Sequence, residues 1–315
     1  MFNEKMRKEA DKYGIEYYKK GRILVWHDEF DTDKLDENKW CFERSMGGGD
    51  RIYDNSEKNC RVEDGNLHLQ VHATDDPEFP YTLPEGVTTK YTMNWKYGYL
   101  EMRAKVPYRH GAWPSFWALS RTVFKKAPWM SEIDIFEVFS DDRHPVANLH
   151  KWMGAHATLS GGEGSLSRAY EFKDYENLNN EYHVYGFEWN PEFTIFYVDG
   201  EEFKRFPIDP VNGNFQYNVV DGVMGFHDFH YVLINNEIFT PKGSWRPEPF
   251  LLNENDPLPI DYYVDYIRLY QNPETEELKL KPEIDAVLAE QKAKEEAKKA
   301  AEEAKKAAEE AEKNK

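Results

Sequence analysis

Three acidic residues, Glu132, Asp134 and Glu137, stand close together in a stretch that begins by alternating polar and apolar residues. In a β-strand successive side chains point to opposite faces, so Glu132 and Asp134 share one face. Glu137 comes five positions after Glu132, and a regular strand would turn it to the other face. A β-bulge after Asp134 adds one residue and brings Glu137 back beside the other two. The spacing therefore predicts a bulged strand that presents three carboxyl groups together.

Carboxyl groups this close repel each other when ionised, so at least one of the three should hold a proton at neutral pH. A protonated carboxyl beside a carboxylate is what hydrolysis of a glycosidic bond with retention requires. One carboxylate attacks the anomeric carbon, while the second, about 5–5.5 Å away, protonates the leaving oxygen and later activates water. In an acid-rich chain the same spacing also fits an exposed strand with no chemistry, so the three residues alone do not decide between the two.

The surroundings of the acidic strand carry a family resemblance. Upstream lie Tyr97–Pro107 and the run Gly111-Ala112-Trp113-Pro114-Ser115-Phe116-Trp117, and downstream lies Asn148-Leu149-His150-Lys151-Trp152. In this order and spacing the chain resembles glycoside hydrolase family 16, over nearly all of residues 25–270. The longer acidic motif, E-x-D-x-x-E, resembles the branch that contains laminarinases, agarases, porphyranases and carrageenases. A motif shorter by one residue belongs to the bacterial lichenases.

The resemblance implies a role for each acid. Glu132 is the expected nucleophile and Glu137 the expected general acid/base. Asp134 lies between them and would tune their protonation, because ionising all three neighbouring carboxyl groups is costly. These roles follow from the family motif and not from the spacing alone.

Five residues are predicted to contact the substrate. His150 matches the family's active-site histidine; a buried structural histidine is the alternative. Trp113 and Trp117 resemble the family's cleft tryptophans. A flat indole suits such a role, because it matches the apolar face of a sugar ring. Trp113 is the expected sugar platform, and for Trp117 packing beneath the strand is the alternative. Trp152 would share the strand face of His150, and Arg51 lies in a polar stretch that could line the cleft.

The resemblance also implies a structural calcium ion away from the cleft. Glu29, the carbonyl group of Gly65 and Asp265 match its expected position. Oxygen ligands from distant segments suit calcium, and such an ion would tie the two ends of the domain together. The same acids could equally be solvated without an ion. We predict no metal or other cofactor for catalysis.

The expected fold is all-β. Short alternating runs bounded by turn dipeptides fill the middle of the chain, and Phe193–Val198, Asp199-Gly200 and Glu201–Phe206 together predict a hairpin with a primed two-residue turn. Many short strands and few helical periods predict a sandwich or a barrel. The family resemblance narrows this to a β-jelly-roll sandwich of two curved antiparallel sheets, with the substrate cleft on the concave face.

Three segments are predicted. Residues 1–22 form a short helical lead-in, residues 23–272 the catalytic domain, and residues 273–315 a tail rich in Ala, Glu and Lys. The tail contains the unit EEAKKAA twice in succession, at 295–301 and 302–308, which predicts a helix. A coiled coil needs large apolar residues in its seam, and these units offer only Ala. We therefore favour a solvated helix over an oligomerisation element, and a monomer.

Charge and composition exclude some partners. The net charge of −18 argues against binding nucleic acid or an anionic membrane. No run of 18 apolar residues is present, so no membrane span is predicted. The first residues are charged throughout and lack the apolar stretch of a signal peptide. The protein is therefore expected to be cytoplasmic if the sequence is complete, or secreted or held at the cell surface if a signal has been removed.

The leading prediction is a retaining endo-β-glycanase that hydrolyses a β-1,3-glucan or a mixed β-1,3/1,4-glucan. Within the enzyme class the rival is endo-hydrolysis of an algal galactan such as agarose, porphyran or carrageenan. A sulfated galactan would favour Arg and Lys in the cleft, and the acidic balance of the chain leans mildly against it. Two further classes fit the sequence less well: a carbohydrate-binding module that has lost catalysis, and a transglycosylase.

Overall fold

A computed structural model describes residues 21–44, 49–120, 130–140, 144–153, 157–158, 165–170, 172, 178–208, 225–242, 250–272 and 274. It also describes residues 286, 289–290, 292–294 and 296–305 of the tail. For residues 151–153, 157–158 and 165–169 only the backbone is described. The predicted lead-in, residues 1–22, lies almost entirely outside these ranges.

The described residues form mostly β-strands, together with two short 3-10 helices at Leu178–Asn180 and Gly225–His227. The strands are β1 Ile23–Asp28, β2 Cys41–Glu43, β3 Arg51–Tyr53, β4 Cys60–Glu63, β5 Asn66–Ala73, β6 Tyr81–Leu83, β7 Gly86–Thr88, β8 Gly98–Lys105, β9 Ala112–Ser120, β10 Met130–Glu137, β11 Val146–Met153, β12 Ala157–Thr158, β13 Ser165–Ala169, β14 His183–Trp189, β15 Phe193–Val198, β16 Glu201–Pro207, β17 His230–Ile238 and β18 Ile260–Gln271.

Two sheets contain these strands. The back sheet has the order β16-β15-β14-β8-β18-β5-β6-β3, with β1 beside β18 and β4 beside β5. The site sheet has the order β12-β11-β10-β9-β17-β7-β2, with β13 beside β11. Among the described strands every pair is antiparallel except β3 with β6. Strands distant in sequence are neighbours in both sheets, as in a jelly roll, and the predicted two-sheet β-sandwich is confirmed.

The predicted hairpin turn is confirmed. Asp199 and Gly200 both have positive φ angles, 49° and 81°, between β15 and β16. Asp64 and Gly65 adopt the same conformation, with φ angles of 51° and 72°, between β4 and β5. Positive φ at both central residues is the requirement of a primed turn, whose twist matches that of the flanking strands.

In the site sheet, side chains alternate between a face that packs into the core and a face that carries the site. In β9, Phe116 and Ala118 are fully buried, whereas Trp113 and Trp117 are partly exposed on the opposite face. Phe136 of β10 points inward and meets Tyr185 of the back sheet at a ring-centroid distance of 4.2 Å. The face of the site sheet that carries Trp113 and Trp117 is called the site face below.

The tail agrees with its predicted helical character where it is described. From Ala286 onward every described residue is helical, and all are exposed except the half-buried Lys292. Lys294 and Glu290 form an ion pair at i,i+4 spacing. No helix within the described ranges has both the length and the apolar character needed to cross a membrane.

Candidate active site

The three predicted catalytic acids lie on β10, and the register of the strand shows how they share the site face. On one side of the bulge Asp134 lies opposite Trp117 of β9, and on the other side Phe136 lies opposite Phe116. One step along β9 therefore corresponds to two steps along β10. Glu137 then lies opposite Ser115, two residues from Trp117 and on the same face. The predicted bulge after Asp134 is confirmed.

Burial gives the acids different tendencies to hold a proton. Asp134 is 2% exposed, and burial raises the pKa of its carboxyl group. Burial also raises the pKa of Glu137, and the nearby charge of Asp134 raises it further. The two groups are hydrogen-bonded to each other, and both raised pKa values favour the protonated forms at neutral pH. Glu137 keeps a partly accessible edge, which leaves its proton within reach of a substrate.

His150 joins two of the acids from the neighbouring strand. Its Nε2 atom lies 2.9 Å from Asp134 Oδ2 and 3.9 Å from Glu132 Oε1. Asn148 contacts the same nitrogen through Nδ2 at 2.7 Å, while its Oδ1 accepts a hydrogen bond from the backbone of Leu149. An amide Nδ2 can only donate, so this contact favours a lone pair on His150 Nε2. A protonated Asp134 is compatible with that arrangement.

The two tryptophans of β9 lie on the site face, four residues apart. Trp113 Nε1 donates a hydrogen bond to Glu137 Oε1 at 2.9 Å. Trp117 Nε1 donates to Asn235 Oδ1 of β17 at 2.7 Å. Both indoles are therefore oriented by polar partners, and Trp117 lies on the site face and not beneath the strand. Trp152 lies opposite Met130 in the backbone register, and its side chain is outside the described part of the chain.

The predicted role of Arg51 in substrate binding needs correction. Its side chain is 1% exposed and forms an ion pair with Glu237 at 2.9 Å. The guanidinium group also donates to the carbonyl of Ile238 and to the hydroxyl of Thr240. A cation surrounded in this way fixes the end of β17 and has no surface left for a sugar.

The predicted calcium ligands have other partners. Glu29 accepts two hydrogen bonds from Arg268, at 2.9 and 2.7 Å. Burial would raise the pKa of Glu29, but the hydrogen bonds from Arg268 and a contact with His27 lower it to about 2. Asp265 accepts a hydrogen bond from Arg103 at 2.5 Å. These pairs do not fit a cation held by the same two carboxylates, and calcium at Glu29, Gly65 and Asp265 remains an untested prediction.

Among the described residues one group of acids and histidine is compact enough to surround a cation. It consists of Glu132, Asp134 and His150, whose ligand atoms lie within 4.8 Å of one another. A cation would require an ionised Asp134, whereas burial favours its protonated form. We therefore assign no metal to this group and interpret it through its proton chemistry.

Several site residues were not predicted from the sequence. Asn235 and Glu237 lie on the site face beside Trp117 and Trp113. Their spacing of two residues puts both side chains on one face of a strand, and this spacing is the sequence signal that could have identified them. Phe239 stacks on Trp113 with ring centroids 4.8 Å apart and planes 9° from parallel. It follows the end of β17, and no sequence pattern marks that contact. Asn148 precedes His150 by two residues, which is the same-face spacing of a strand.

Comparisons with known proteins agree with this geometry. A model of the family described as "Beta-porphyranase A-D, GH16 domain" matches residues 25–272. The clotting factor G alpha subunit of Tachypleus tridentatus is 28% identical over 260 residues, a match that covers 80% of this chain but 34% of that protein. The chain thus spans about a third of that relative's length.

Two further proteins are covered more completely. The beta-glucanase of Rhodothermus marinus is 28% identical over 260 residues, and the match covers 79% of this chain and 85% of that protein. The laminarinase catalytic domain of Thermotoga maritima superimposes with a TM-score of 0.62 and 27% identity, over 79% of this chain and 98% of that one. With a family model that matches most of its length, the chain belongs to glycoside hydrolase family 16.

Proposed function

We propose that this chain hydrolyses internal β-1,3 or mixed β-1,3/1,4 linkages of a glucan with retention of anomeric configuration. The observation that carries the proposal is the bulge of β10, which presents Glu132, Asp134 and Glu137 on one face. Neighbouring carboxyl groups on one strand face suit the short separation of a retaining pair, whereas an inverting pair needs room for a water molecule between them.

In the first step a carboxylate oxygen of Glu132 forms a bond to the anomeric carbon. The glycosidic bond breaks, and Glu137 transfers its proton to the leaving oxygen. The raised pKa of Glu137 suits this role, since the group holds its proton at neutral pH. In the second step the ionised Glu137 takes a proton from water, whose oxygen attacks the anomeric carbon and releases Glu132.

Asp134 supports the change of protonation between the two steps. It shares a hydrogen bond with Glu137 and lies 2.9 Å from His150 Nε2. When Glu137 has given up its proton, a protonated Asp134 can donate to the new carboxylate. This avoids two adjacent negative charges in a buried position.

A neutral glucan fits the charges around the site face. Three cations on neighbouring strands and their ends, Arg44, Arg51 and Lys90, are each paired with a carboxylate: Glu85, Glu237 and Glu43 respectively. Arg51, whose side chain is 1% exposed, has no surface for a sulfate group, and a carboxylate beside each of the other two cations weakens its attraction for an anion. The beta-glucanase and the laminarinase to which the chain is similar are also named for glucan substrates.

A second candidate is endo-hydrolysis of an algal galactan. The observation in its favour is that the matching family model is named for β-porphyranases. The catalytic strand serves either substrate, because the chemistry at the anomeric carbon is the same.

Incubating the protein with laminarin, lichenan, agarose and porphyran, then identifying the oligosaccharides released, tests the proposal. We expect products from laminarin or lichenan with the β-anomer formed first in proton NMR spectra. Glu132→Ala should lower kcat by at least about a thousandfold, as loss of a covalent nucleophile does. Glu192→Ala, in the exposed turn before β15, is the matched control and should leave kcat unchanged.

Each outcome bears on a separate part of the proposal. Products from agarose or porphyran alone would replace the glucan by a galactan. An α-anomer formed first would overturn retention. Binding of a polysaccharide without any turnover by the parent protein would indicate a binding module.

A further inference from the structure

Trp113 is held between an aromatic stack and the general acid. Phe239 covers one face of its indole, with centroids 4.8 Å apart and an interplanar angle of 9°. Phe139, two residues beyond Glu137, borders the same indole at 6.3 Å and 38°. The ring is therefore positioned by packing, and its Nε1 hydrogen points at Glu137 Oε1 at 2.9 Å.

This contact distinguishes the two oxygens of Glu137. An indole N–H can only donate, so Oε1 accepts this hydrogen bond. The carbonyl oxygen of a carboxyl group is a better acceptor than its hydroxyl oxygen, so the contact favours the proton of Glu137 on Oε2. A carboxyl group free to rotate would exchange the two oxygens, and the stacked indole opposes that rotation.

We propose that Trp113 is a positioning residue that confines the transferable proton of Glu137 to Oε2. The inference rests on the proposed function, because it assigns how the general acid of that reaction is oriented. It also adds to the predicted role of Trp113. The indole N–H orients the general acid, independently of any contact between the ring and a sugar.

Trp117 provides a matched comparison on the same strand face. It lies four residues after Trp113 and also donates through Nε1, but its acceptor is the amide oxygen of Asn235 at 2.7 Å. A Trp→Phe change at either position removes one N–H and keeps an aromatic ring. Only the change at Trp113 removes a donor from the general acid.

Charged groups around Glu137 affect the same titration. Asp134 and Glu132 lie on the same strand, and His150 lies on β11. Glu237 of β17 lies opposite Trp113 and is neutralised by Arg51. Neither Trp113→Phe nor Trp117→Phe alters any of these groups.

The experiment measures kcat/KM for both variants with aryl β-glycosides of the oligosaccharide that the parent enzyme releases. For Trp113→Phe we expect a loss on the order of tenfold with a poor leaving group, which needs proton transfer. With a leaving group as good as 2,4-dinitrophenolate, which needs no proton, we expect little loss. The basic limb of the pH profile should move to higher pH, because a donor that stabilises the carboxylate has been removed.

Trp117→Phe should change kcat/KM equally for good and poor leaving groups and leave the basic limb in place. Phe239→Leu weakens the stack but keeps the indole N–H. It should show the same kind of leaving-group dependence as Trp113→Phe, with a smaller loss of kcat/KM. Activity of Trp113→Phe on the activated glycoside also shows that the variant folds.

Equal losses for all leaving groups in Trp113→Phe, with an unmoved basic limb, would overturn the inference while leaving the proposed function intact. A parent protein inactive on every polysaccharide and aryl glycoside would instead remove the proposed function itself.

Discussion

The three carboxyl groups of one strand face differ in chemistry because their surroundings differ. Glu132 has a side chain that is 15% exposed and lies 3.9 Å from His150, whereas the side chain of Asp134 is 3% exposed. Solvation by water stabilises a carboxylate, which is the form that a nucleophile needs. Burial favours the protonated form of both Asp134 and Glu137.

Asp134→Asn should make the folded protein more stable and less active. Burial raises the pKa of Asp134 above its unfolded value of about 3.8, so the folded state binds the extra proton and loses stability as pH rises above about 4. Each unit of that shift costs about 1.4 kcal/mol. We expect a Tm higher by a few degrees at pH 7, no gain below pH 4, and a kcat lower by about tenfold or more.

Thermal unfolding and initial rates measured across pH check this expectation. A Tm gain that is the same at pH 3.5 and pH 7 would contradict the assigned cause, because only an ionisable side chain produces the difference.

Single residues also show where prediction from sequence ends. The acids, His150 and both tryptophans were predicted because they lie within continuous motifs. Arg51 was misassigned because its partner Glu237 is 186 positions away, and only the fold brings the two together. The bond from Trp113 to Glu137 depends on side-chain direction as well as on strand pairing, so the pattern predicted the residue but not its role.

At the scale of elements, hydrogen bonds on the inward face hold the first residues of β10 in place. Ser131 lies next to Glu132 with its side chain inward, and its hydroxyl contacts His230 Nε2 at 2.9 Å. Its backbone N–H donates to Ser120 Oγ, also at 2.9 Å. His230 Nδ1 lies 3.0 Å from the carbonyl of Asp228, which fixes the tautomer with the proton on Nδ1. The serine hydroxyl is therefore the donor to Nε2.

His230→Phe should loosen the start of the catalytic strand. It removes the hydrogen bonds that His230 makes with the hydroxyl of Ser131 and the carbonyl of Asp228, at a cost of about 1–3 kcal/mol. Burial lowers the pKa of His230 to about 3, so the parent loses stability as pH falls from about 6.5, where the unfolded histidine takes up a proton. We expect the deficit of the variant to shrink as pH falls from 6.5 to 4.

Urea unfolding of parent and variant at several pH values provides the measurement. A deficit that stays constant from pH 7 to pH 4 would show that His230 titrates normally in the folded protein. The strand itself was predictable from its alternation, but this anchor comes from β17, about a hundred residues later, and has no local signature.

At the scale of the whole molecule, two sheets pack around the core, and the catalytic acids lie on the opposite face of one of them. The alternating runs and turn dipeptides predicted an all-β sandwich or barrel, and the family resemblance narrowed this to a jelly-roll sandwich. Sheet order could not follow from alternation alone, since β8 lies between β14 and β18, and β9 between β10 and β17. Such pairings are decided by packing between distant segments.

Removing residues 276–315 should leave the domain intact. From Ala286 onward the described tail residues are helical and, apart from Lys292, exposed, so they bury little apolar surface against the sheets. The family match also ends at residue 272. We expect a Tm within about 1 °C of the parent and an unchanged kcat; a larger fall in Tm measured by calorimetry would show that the tail packs on the domain.

The bulge of β10 corresponds to one additional codon in the gene. Ile135 is the residue by which β10 exceeds its partner β9, and it lies buried beside Phe136. Without that codon the motif would read E-x-D-x-E, in which plain alternation puts all three acids on one face and keeps Phe136 inward. The longer motif of this chain and the shorter motif of the lichenases thus both place three acids on one strand face. An in-frame gain or loss of three nucleotides converts one into the other without reversing the direction of any acid.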